Sequence, residues 1–153
     1  MRKQVLFGLA FACALFVVAC RNQQKANSWI GTWKLDKTAS KLTEVPQQEE
    51  MQIDAADQRS VKYTIRGTGD DGKQYSESYD GKPDGSFYPV NVNGKPLGNI
   101  AYQFRSDHVI SAQGKGPGGS TLDETATLAD DGKSITIKSR EGKEAEETAV
   151  YRK

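Results

Sequence analysis

The sequence predicts an all-β protein, an antiparallel up-and-down meander of eight to ten short strands that closes into a barrel. Short runs of alternating apolar and polar residues predict the strands. No segment shows convincing amphipathic helical periodicity, and Pro46 favours an extended segment over Gln47–Ala56. Asp-Gly-Lys, Asn-Gly-Lys or Glu-Gly-Lys turns, which suit tight hairpins, recur at 71–73, 80–82, 93–95, 131–133 and 141–143.

The number of strands favours closure of the sheet. An open meander would leave two unpaired edges, and a barrel removes both of them. A two-sheet sandwich is the alternative, but sandwiches need Greek-key crossovers and most loops are too short for these. Asp80–Asn99 is the exception, and we expect either a lid or a long hairpin that contains a strand at 87–90.

The first element of the chain is a secretory signal. Arg2 and Lys3 form a positive n-region, and residues 5–19 are apolar or small and carry no charge. This stretch is typical of a signal-peptide h-region and is too short for a spanning helix.

The signal ends in a lipobox, Val17–Cys20, at which a bacterial lipoprotein is cut before the cysteine and acylated on it. An ordinary signal peptide with a chance cysteine is the alternative. We predict a signal peptide at 1–19, lipidation of Cys20, a tether over 20–28 and a barrel domain at 29–153. Two or three acyl chains make such an anchor stable.

The residue after the cysteine bears on localisation. Asp at this position would favour retention in the inner membrane, whereas Arg21 favours the outer membrane. We therefore expect a lipid-anchored protein of the bacterial cell envelope, in the outer membrane and facing the periplasm.

Composition limits the possible functions. Cleavage would leave 134 of 153 residues, enough for one domain, with 19 of the 21 basic residues against 20 acidic ones. No basic field for nucleic acid is therefore expected. Cys13 would leave with the signal and Cys20 would carry lipid, so the domain has no disulfide or thiol nucleophile. No cofactor is predicted.

The first predicted strand, 29–35, places Trp29, Gly31, Trp33 and Leu35 on one face. This Gly-x-Trp on an opening strand resembles the lipocalin and wider calycin signature. The resemblance implies a lipocalin-like barrel in which Gly31 and Trp33 plug one end. It also implies a basic residue of the last strand across the indole, and Arg152 is the best-placed candidate.

The chain departs from typical lipocalins, since it lacks their Thr-Asp-Tyr motif and no helix is predicted after the last strand. Its size is nearer that of fatty-acid-binding or avidin-like calycins. The segments 31–41, 79–82 and 88–90 also resemble small, mostly uncharacterised bacterial secreted proteins, and this second resemblance implies no activity.

Aromatic residues are the candidate ligand-binding groups. An amphipathic aromatic lining suits a small ligand with apolar and polar parts. The alternative is a filled core in which the rings touch one another, and the few Leu, Ile and Phe residues favour a small, tightly filled barrel. The candidates are Trp33, Tyr63, Tyr75, Tyr79, Tyr102 and Phe104.

Few features predict catalysis or metal binding. The only histidine, His108, lies in a predicted turn, where an exposed or capping role is commoner than a place in a catalytic triad. The EF-hand pattern is missing around Asp80 and Asp84. The adjacent carboxylate pairs would point to opposite faces of a strand. We predict no metal site and no enzymatic activity.

Two glycine-rich motifs are interpreted as hairpin loops. Gly67–Gly72 matches the dinucleotide fingerprint, but a predicted strand follows it where the fingerprint requires a helix. Gly114–Ser120 lacks the Gly-Lys-Ser/Thr ending of a phosphate loop and is expected at the barrel mouth.

Two functions remain after these exclusions. The first is a membrane-anchored binding module that holds a small amphipathic or hydrophobic ligand in its barrel. The alternative is a non-enzymatic envelope interaction or inhibitor protein, whose partner is unknown and whose contacts would be the loops at 80–99 and 114–120.

Overall fold

A computed structural model describes residues 29–153, so the predicted signal peptide, Cys20 and the tether lie outside the described residues. Ten antiparallel strands follow one another around a closed barrel, which confirms the predicted fold class. The strands are β1 (Gly31–Leu35), β2 (Gln48–Ala56), β3 (Val61–Thr68), β4 (Gln74–Gly81), β5 (Tyr88–Val92), β6 (Lys95–Ser106), β7 (Val109–Lys115), β8 (Thr121–Leu128), β9 (Ser134–Glu141) and β10 (Glu147–Arg152).

The first strand closes the barrel because it pairs on both sides. Trp33 lies opposite Met51 of β2, and Leu35 lies opposite Tyr151 of β10. Strands β2 to β9 each pair with their two neighbours in sequence, and β10 pairs with β9 and β1. The sandwich alternative is therefore wrong, and each of the ten described strands has a partner strand on both sides.

Four of the five predicted turns lie between strands and place a glycine in the left-handed region, at Gly72, Gly94, Gly132 and Gly142. The predicted turn at 80–82 is wrong, because β4 continues through Gly81. Gly81 instead makes room for aromatic rings, since a Cβ there would lie 2.5 Å from the Tyr79 hydroxyl oxygen.

The long segment between β4 and β6 is a hairpin and not a lid. It contains β5, slightly later than the strand expected at 87–90, and a tight turn at Asn93-Gly94 joins β5 to β6. Gly67–Gly72 forms the end of β3 and the turn into β4, and a loop with a short 3-10 turn at Pro117–Gly119 joins β7 to β8. Both glycine-rich motifs are thus hairpin loops, as predicted.

The barrel has two different ends. One end, which we call the plug end, contains Trp29, Lys153 and the turns at 57–60, 107–108 and 129–133. The mouth end carries the connections at 36–47, 69–73, 93–94, 116–120 and 142–146. Within residues 29–153, no helix has the length and apolar character needed to cross a membrane.

Inward-facing residues of all parts of the barrel form one core, as strand alternation requires. Trp33 is fully buried, and the largest fully buried side chains beside it are Tyr79, Leu128 and Ile135. The core thus runs from the plug end to the tyrosines near the middle of the barrel.

Candidate functional site

Two tryptophans close the plug end of the barrel. The Trp33 indole nitrogen donates a hydrogen bond of 2.8 Å to the Trp29 carbonyl oxygen, and the Trp29 nitrogen donates one of 2.8 Å to the Asp107 carbonyl. These bonds satisfy both indole N–H groups, so two large rings are buried without an unpaired donor. The structure therefore places Trp33 in the plug position that the sequence predicted.

The basic residue across Trp33 is Lys153, and the prediction of Arg152 is wrong. The Lys153 ammonium lies 4.5 Å from the Trp33 ring centroid. Tyr151 points inward, so alternation turns Arg152 outward and brings the next residue back over the barrel end. Gly31 leaves room for this lysine, because a Cβ on Gly31 would lie 3.3 Å from Lys153 Cε.

Arg152 instead fixes the loop that follows β1. Its Nε donates a hydrogen bond of 2.6 Å to Asp36 Oδ2 on the outside of the barrel. This bond and a second from the Thr38 hydroxyl lower the pKa of Asp36 to about 2. Arg152 thus belongs to the barrel wall and is not part of the plug.

Three predicted tyrosines meet inside the barrel. The Tyr79 and Tyr102 ring centroids lie 4.9 Å apart in an edge-to-face arrangement, and Tyr63 stacks on Tyr79 at 5.7 Å. The Tyr102 hydroxyl donates to the Tyr63 oxygen at 3.2 Å. Tyr79 is buried, and its hydroxyl has no hydrogen-bond partner among the described residues. The cluster joins β3, β4 and β6 into one aromatic wall.

Glutamates also point into the barrel, and sequence reasoning missed them as a group. Glu77 lies between Tyr75 and Tyr79 on the inner face of β4, and the Tyr63 hydroxyl donates to it at 2.9 Å. Glu124 occupies an inward-facing position on β8, on the same face as the buried Ala126 and Leu128. That alternation was the available signal, because an inward position on a strand carries its side chain into the core whatever its polarity.

Burial changes the acidity of these groups. It raises the pKa of Glu124 to about 7, and the nearby Glu77 charge adds to the effect. Burial also raises the pKa of Glu77, although the hydrogen bond from Tyr63 acts in the opposite direction. The pKa values of Tyr63 and Tyr102 lie well above their usual range for the same reason, so both remain neutral donors at ordinary pH.

A small cavity lies among these side chains at the centre of the barrel. Its volume is about 90 Å³, far below the ~300 Å³ of an ordinary ligand pocket. Its polar lining consists of Tyr63, Tyr102, Glu77 and Glu124. The remainder is apolar, supplied by Trp29, Met51, Ile53, Ala56, Val61, Ile65, Ile110, Ala126, Ile135 and Ile137.

At the mouth end, hydrogen bonds to Glu49 tie three strands together. The hydroxyls of Tyr75 and Tyr151 each donate to one carboxylate oxygen of Glu49. Gly67 lets the Tyr75 ring cross the inner face of β3, because a Cβ on Gly67 would lie 2.5 Å from Tyr75 Cζ. The structure thus places Tyr75 at the mouth and apart from the central cavity.

An acidic basin lies in front of Glu49. It has a volume of about 420 Å³, and its acidic lining is Glu44, Glu49, Asp70 and Asp71. Lys73 pairs with Asp71 at 2.6 Å and offsets part of this charge. A wider hollow of about 770 Å³ lies along the same ends of β1–β4, but most of its lining is polar and exposed, so it offers little desolvation to a ligand.

The remaining sequence candidates lie away from the cavity. Phe104 is half-buried and packs against the core without lining the cavity. His108 lies in the turn after β6, with Nδ1 3.2 Å from Asp130 Oδ1 at the plug end. Within residues 29–153, no three His, Cys, Asp or Glu side chains form a group that could hold a metal ion.

Comparison with known proteins identifies the fold. No protein-family model matches the chain, and no curated protein sequence matches it. A Schistosoma mansoni fatty acid binding protein, solved in complex with arachidonic acid, is 13% identical over 84% of this chain and 98% of that one, with a TM-score of 0.58. The fold is a barrel like that of fatty acid binding proteins.

A redesigned β-barrel is similar to the chain as well. It is 12% identical and matches over 84% of this chain and 94% of its own, with a TM-score of 0.51. At these identities the similarity concerns the fold alone. It agrees with the calycin resemblance of the Gly-x-Trp strand and supports no particular ligand.

Proposed function

We propose that this chain is a bacterial envelope lipoprotein, anchored through lipid on Cys20, whose barrel binds a small ligand with an apolar and a polar part. The lipobox before Cys20 supports the anchor. The observation that carries ligand binding is the central cavity, in which apolar walls meet two tyrosine hydroxyls and two carboxyl groups. Such a combination of apolar walls and a few convergent polar groups is typical of ligand sites.

The size of the cavity restricts the ligand. A cavity of about 90 Å³ lies well below the ~300 Å³ of an ordinary ligand pocket, so it suits only a small ligand. A long fatty acid would require core side chains such as Met51 and Ile137 to move aside. We therefore propose a short ligand, held without chemical conversion, and an outer-membrane location that faces the periplasm.

Native mass spectrometry tests the binding proposal. The full chain, extracted from its own membranes, is expected to carry a small extra mass that leaves on denaturation. Ala126 lines the cavity, so Ala126→Leu fills it and is expected to abolish the adduct. Thr125→Leu, on the exposed face of the same strand, is the matched control and is expected to retain it. An adduct retained by Ala126→Leu would place the ligand elsewhere.

The anchor requires a separate test. Cys20→Ser is expected to abolish incorporation of labelled palmitate and to move the protein from the membrane to the soluble fraction. Arg21→Asp is expected to keep the label and shift the protein toward the inner membrane. Palmitate labelling that survives Cys20→Ser would contradict the lipoprotein proposal.

A protein-interaction role is the second candidate, and one observation favours it. Four large apolar side chains within residues 29–153 are exposed, and two of them, Phe87 at 40% and Leu97 at 53%, belong to the predicted 80–99 loop. Lys115, at the edge of the 114–120 loop, lies 4.3 Å from the Phe87 ring centroid. If this surface binds an envelope protein, a Phe87→Ser, Leu97→Ser double variant will lose that protein in a pull-down. Identical partner sets would exclude the surface.

A further inference from the structure

We propose that the ligand of the barrel carries a protonated amine, and that this ammonium group is held between Glu77 and Glu124 in the central cavity. The inference rests on the proposed ligand-binding function and adds the chemistry of the ligand's polar end.

The charge of the cavity is the first argument. Glu77 and Glu124 are its two ionisable acids, and no Lys, Arg or His of residues 29–153 lines it. A ligand carboxylate would bring a third negative group against these two in a region of low dielectric. An ammonium group has the opposite effect, because it compensates both carboxylates and donates hydrogen bonds to them.

The lack of a partner for Glu124 is the second argument. Glu77 accepts a hydrogen bond from Tyr63, whereas no hydrogen bond or ion pair to the Glu124 carboxyl is present within residues 29–153. Glu124 is half-buried, and its side chain lines the cavity. Burying a carboxyl group without a partner is costly, so a donor that enters the cavity would remove this cost.

The walls suit the remainder of such a ligand. Tyr63 and Tyr102 line the cavity together with the two carboxyl groups. Ile65 and Ile137 provide apolar contact for a short alkyl group. The available volume selects a short alkylammonium compound over a long-chain amine.

The acidic basin at the mouth end carries charge of the same sign as the cavity. Four carboxylates line this basin, and Lys73, which pairs with Asp71 at 2.6 Å, offsets only part of their charge. Glu49 lines this basin, and its charge contributes to the raised pKa of Glu77. The acidic groups therefore extend from the mouth to the cavity.

The groups that face Glu124 determine the pH dependence. They are Glu77 on β4, Tyr63 on β3, Tyr102 on β6 and Tyr151 on β10. Its direct neighbours on β7 and β9, Ala112 and Ser139, carry no charge. Because burial raises the pKa of Glu124 to about 7, its ionised fraction rises about tenfold between pH 6 and pH 8. An alkylammonium stays protonated throughout this range, because its pKa resembles that of lysine, about 10.4.

Isothermal titration calorimetry on the full chain in a mild detergent tests the inference. The probes are n-propylammonium, n-propanol and propionate, which differ in charge at similar size, each titrated at pH 6 and pH 8. The variants are Glu124→Gln and Glu77→Gln. Asp123→Asn, the exposed neighbour on β8, is the matched control.

We expect propylammonium to bind the wild type about tenfold more tightly at pH 8 than at pH 6. Propanol and propionate are expected to bind at least tenfold more weakly than propylammonium at pH 8. Each Gln variant is expected to lose tenfold or more in affinity, and Asp123→Asn is expected to bind like the wild type.

Other outcomes separate the two proposals. Propanol or propionate binding as tightly as the amine, without pH dependence, would overturn the cationic ligand and leave a small-ligand site in place. Equal amine affinity in wild type and both Gln variants would also overturn it. No binding of any probe, together with no adduct in native mass spectrometry, would remove the ligand-binding function itself. The three-probe comparison on the wild type does not depend on the stability of a variant.

Discussion

Glu124→Gln changes the pH dependence of stability in a direction that the structure specifies. In the unfolded chain this carboxyl group has an ordinary pKa of 4.5, and burial in the barrel raises it to about 7. The folded state therefore binds the proton more tightly than the unfolded state. The resulting stabilisation is fully present below pH 4.5 and is lost as the pH rises through 7.

The magnitude follows from the difference between the two pKa values. One pKa unit corresponds to 1.36 kcal/mol, so a shift from 4.5 to about 7 corresponds to about 3 kcal/mol. The free energy of unfolding of the wild type should decrease by that amount, from this group, between pH 4.5 and pH 8. Glutamine has a similar shape and does not titrate, so the variant lacks this decrease. Because the pKa of Glu77 is also raised, the free energy of unfolding of both proteins should show a further, smaller decrease as the pH rises.

Urea denaturation at pH 4.5, 6, 7 and 8, followed by tryptophan fluorescence, measures the effect in buffers free of amines. Relative to the wild type, the free energy of unfolding of Glu124→Gln should increase by about 3 kcal/mol from pH 4.5 to pH 8. Asp123→Asn, on the exposed face of the same strand, should run parallel to the wild type. Parallel curves for Glu124→Gln and wild type would refute the reasoning, because they would mean that the carboxyl group has an ordinary pKa in the folded barrel.

Three further predictions concern stability. Trp33→Ala, which removes a fully buried indole and its hydrogen bond to Trp29, should lower the free energy of unfolding by ~3–5 kcal/mol in urea, and Trp33→Phe by less. Gly81→Ala should cost roughly 1–3 kcal/mol in the same assay, because its Cβ would lie 2.5 Å from the Tyr79 hydroxyl; an unchanged midpoint would contradict this. The pKa of Asp36 is lowered to about 2, so its contribution is present above pH 3.8 and lost as the pH falls toward 2. Acid titrations by circular dichroism should therefore show a shallower loss between pH 4 and 2 in Asp36→Asn.

Part of the candidate site was predictable from the alternation of inner and outer positions. Tyr63, Tyr79 and Tyr102 were expected inside the barrel, and the structure brings their rings together. Glu77 shares the inner face of β4 with Tyr75 and Tyr79, and Glu124 shares that of β8 with Ala126 and Leu128, but neither glutamate is among the residues that the sequence predicts for the site. Whether these tyrosines and glutamates bind a ligand stays a prediction.

The basic residue at the plug shows a second limit of sequence reasoning. The calycin resemblance implied a cation over Trp33, and Arg152 was chosen because it lies on the last strand. The register of β10 decided otherwise, since it directs Tyr151 inward and brings Lys153 over the ring. The alternation of the apolar residues Ala149 and Tyr151 already turns Arg152 outward, whereas only the tertiary structure shows that Lys153, beyond the strand, reaches the Trp33 ring.

The sequence by itself determined the all-β meander, because turn glycines and side-chain alternation act over a few residues. It also predicted closure, because a long open sheet leaves two reactive edges. The tertiary structure alone decided which side chains meet across the barrel. Tyr151 reaches Glu49 from 102 residues away, and Tyr102 reaches Tyr63 from 39. Contacts of this kind depend on barrel closure and strand register, which place distant inward residues at one level of the axis, and the acidic cavity exists only as a result of that arrangement.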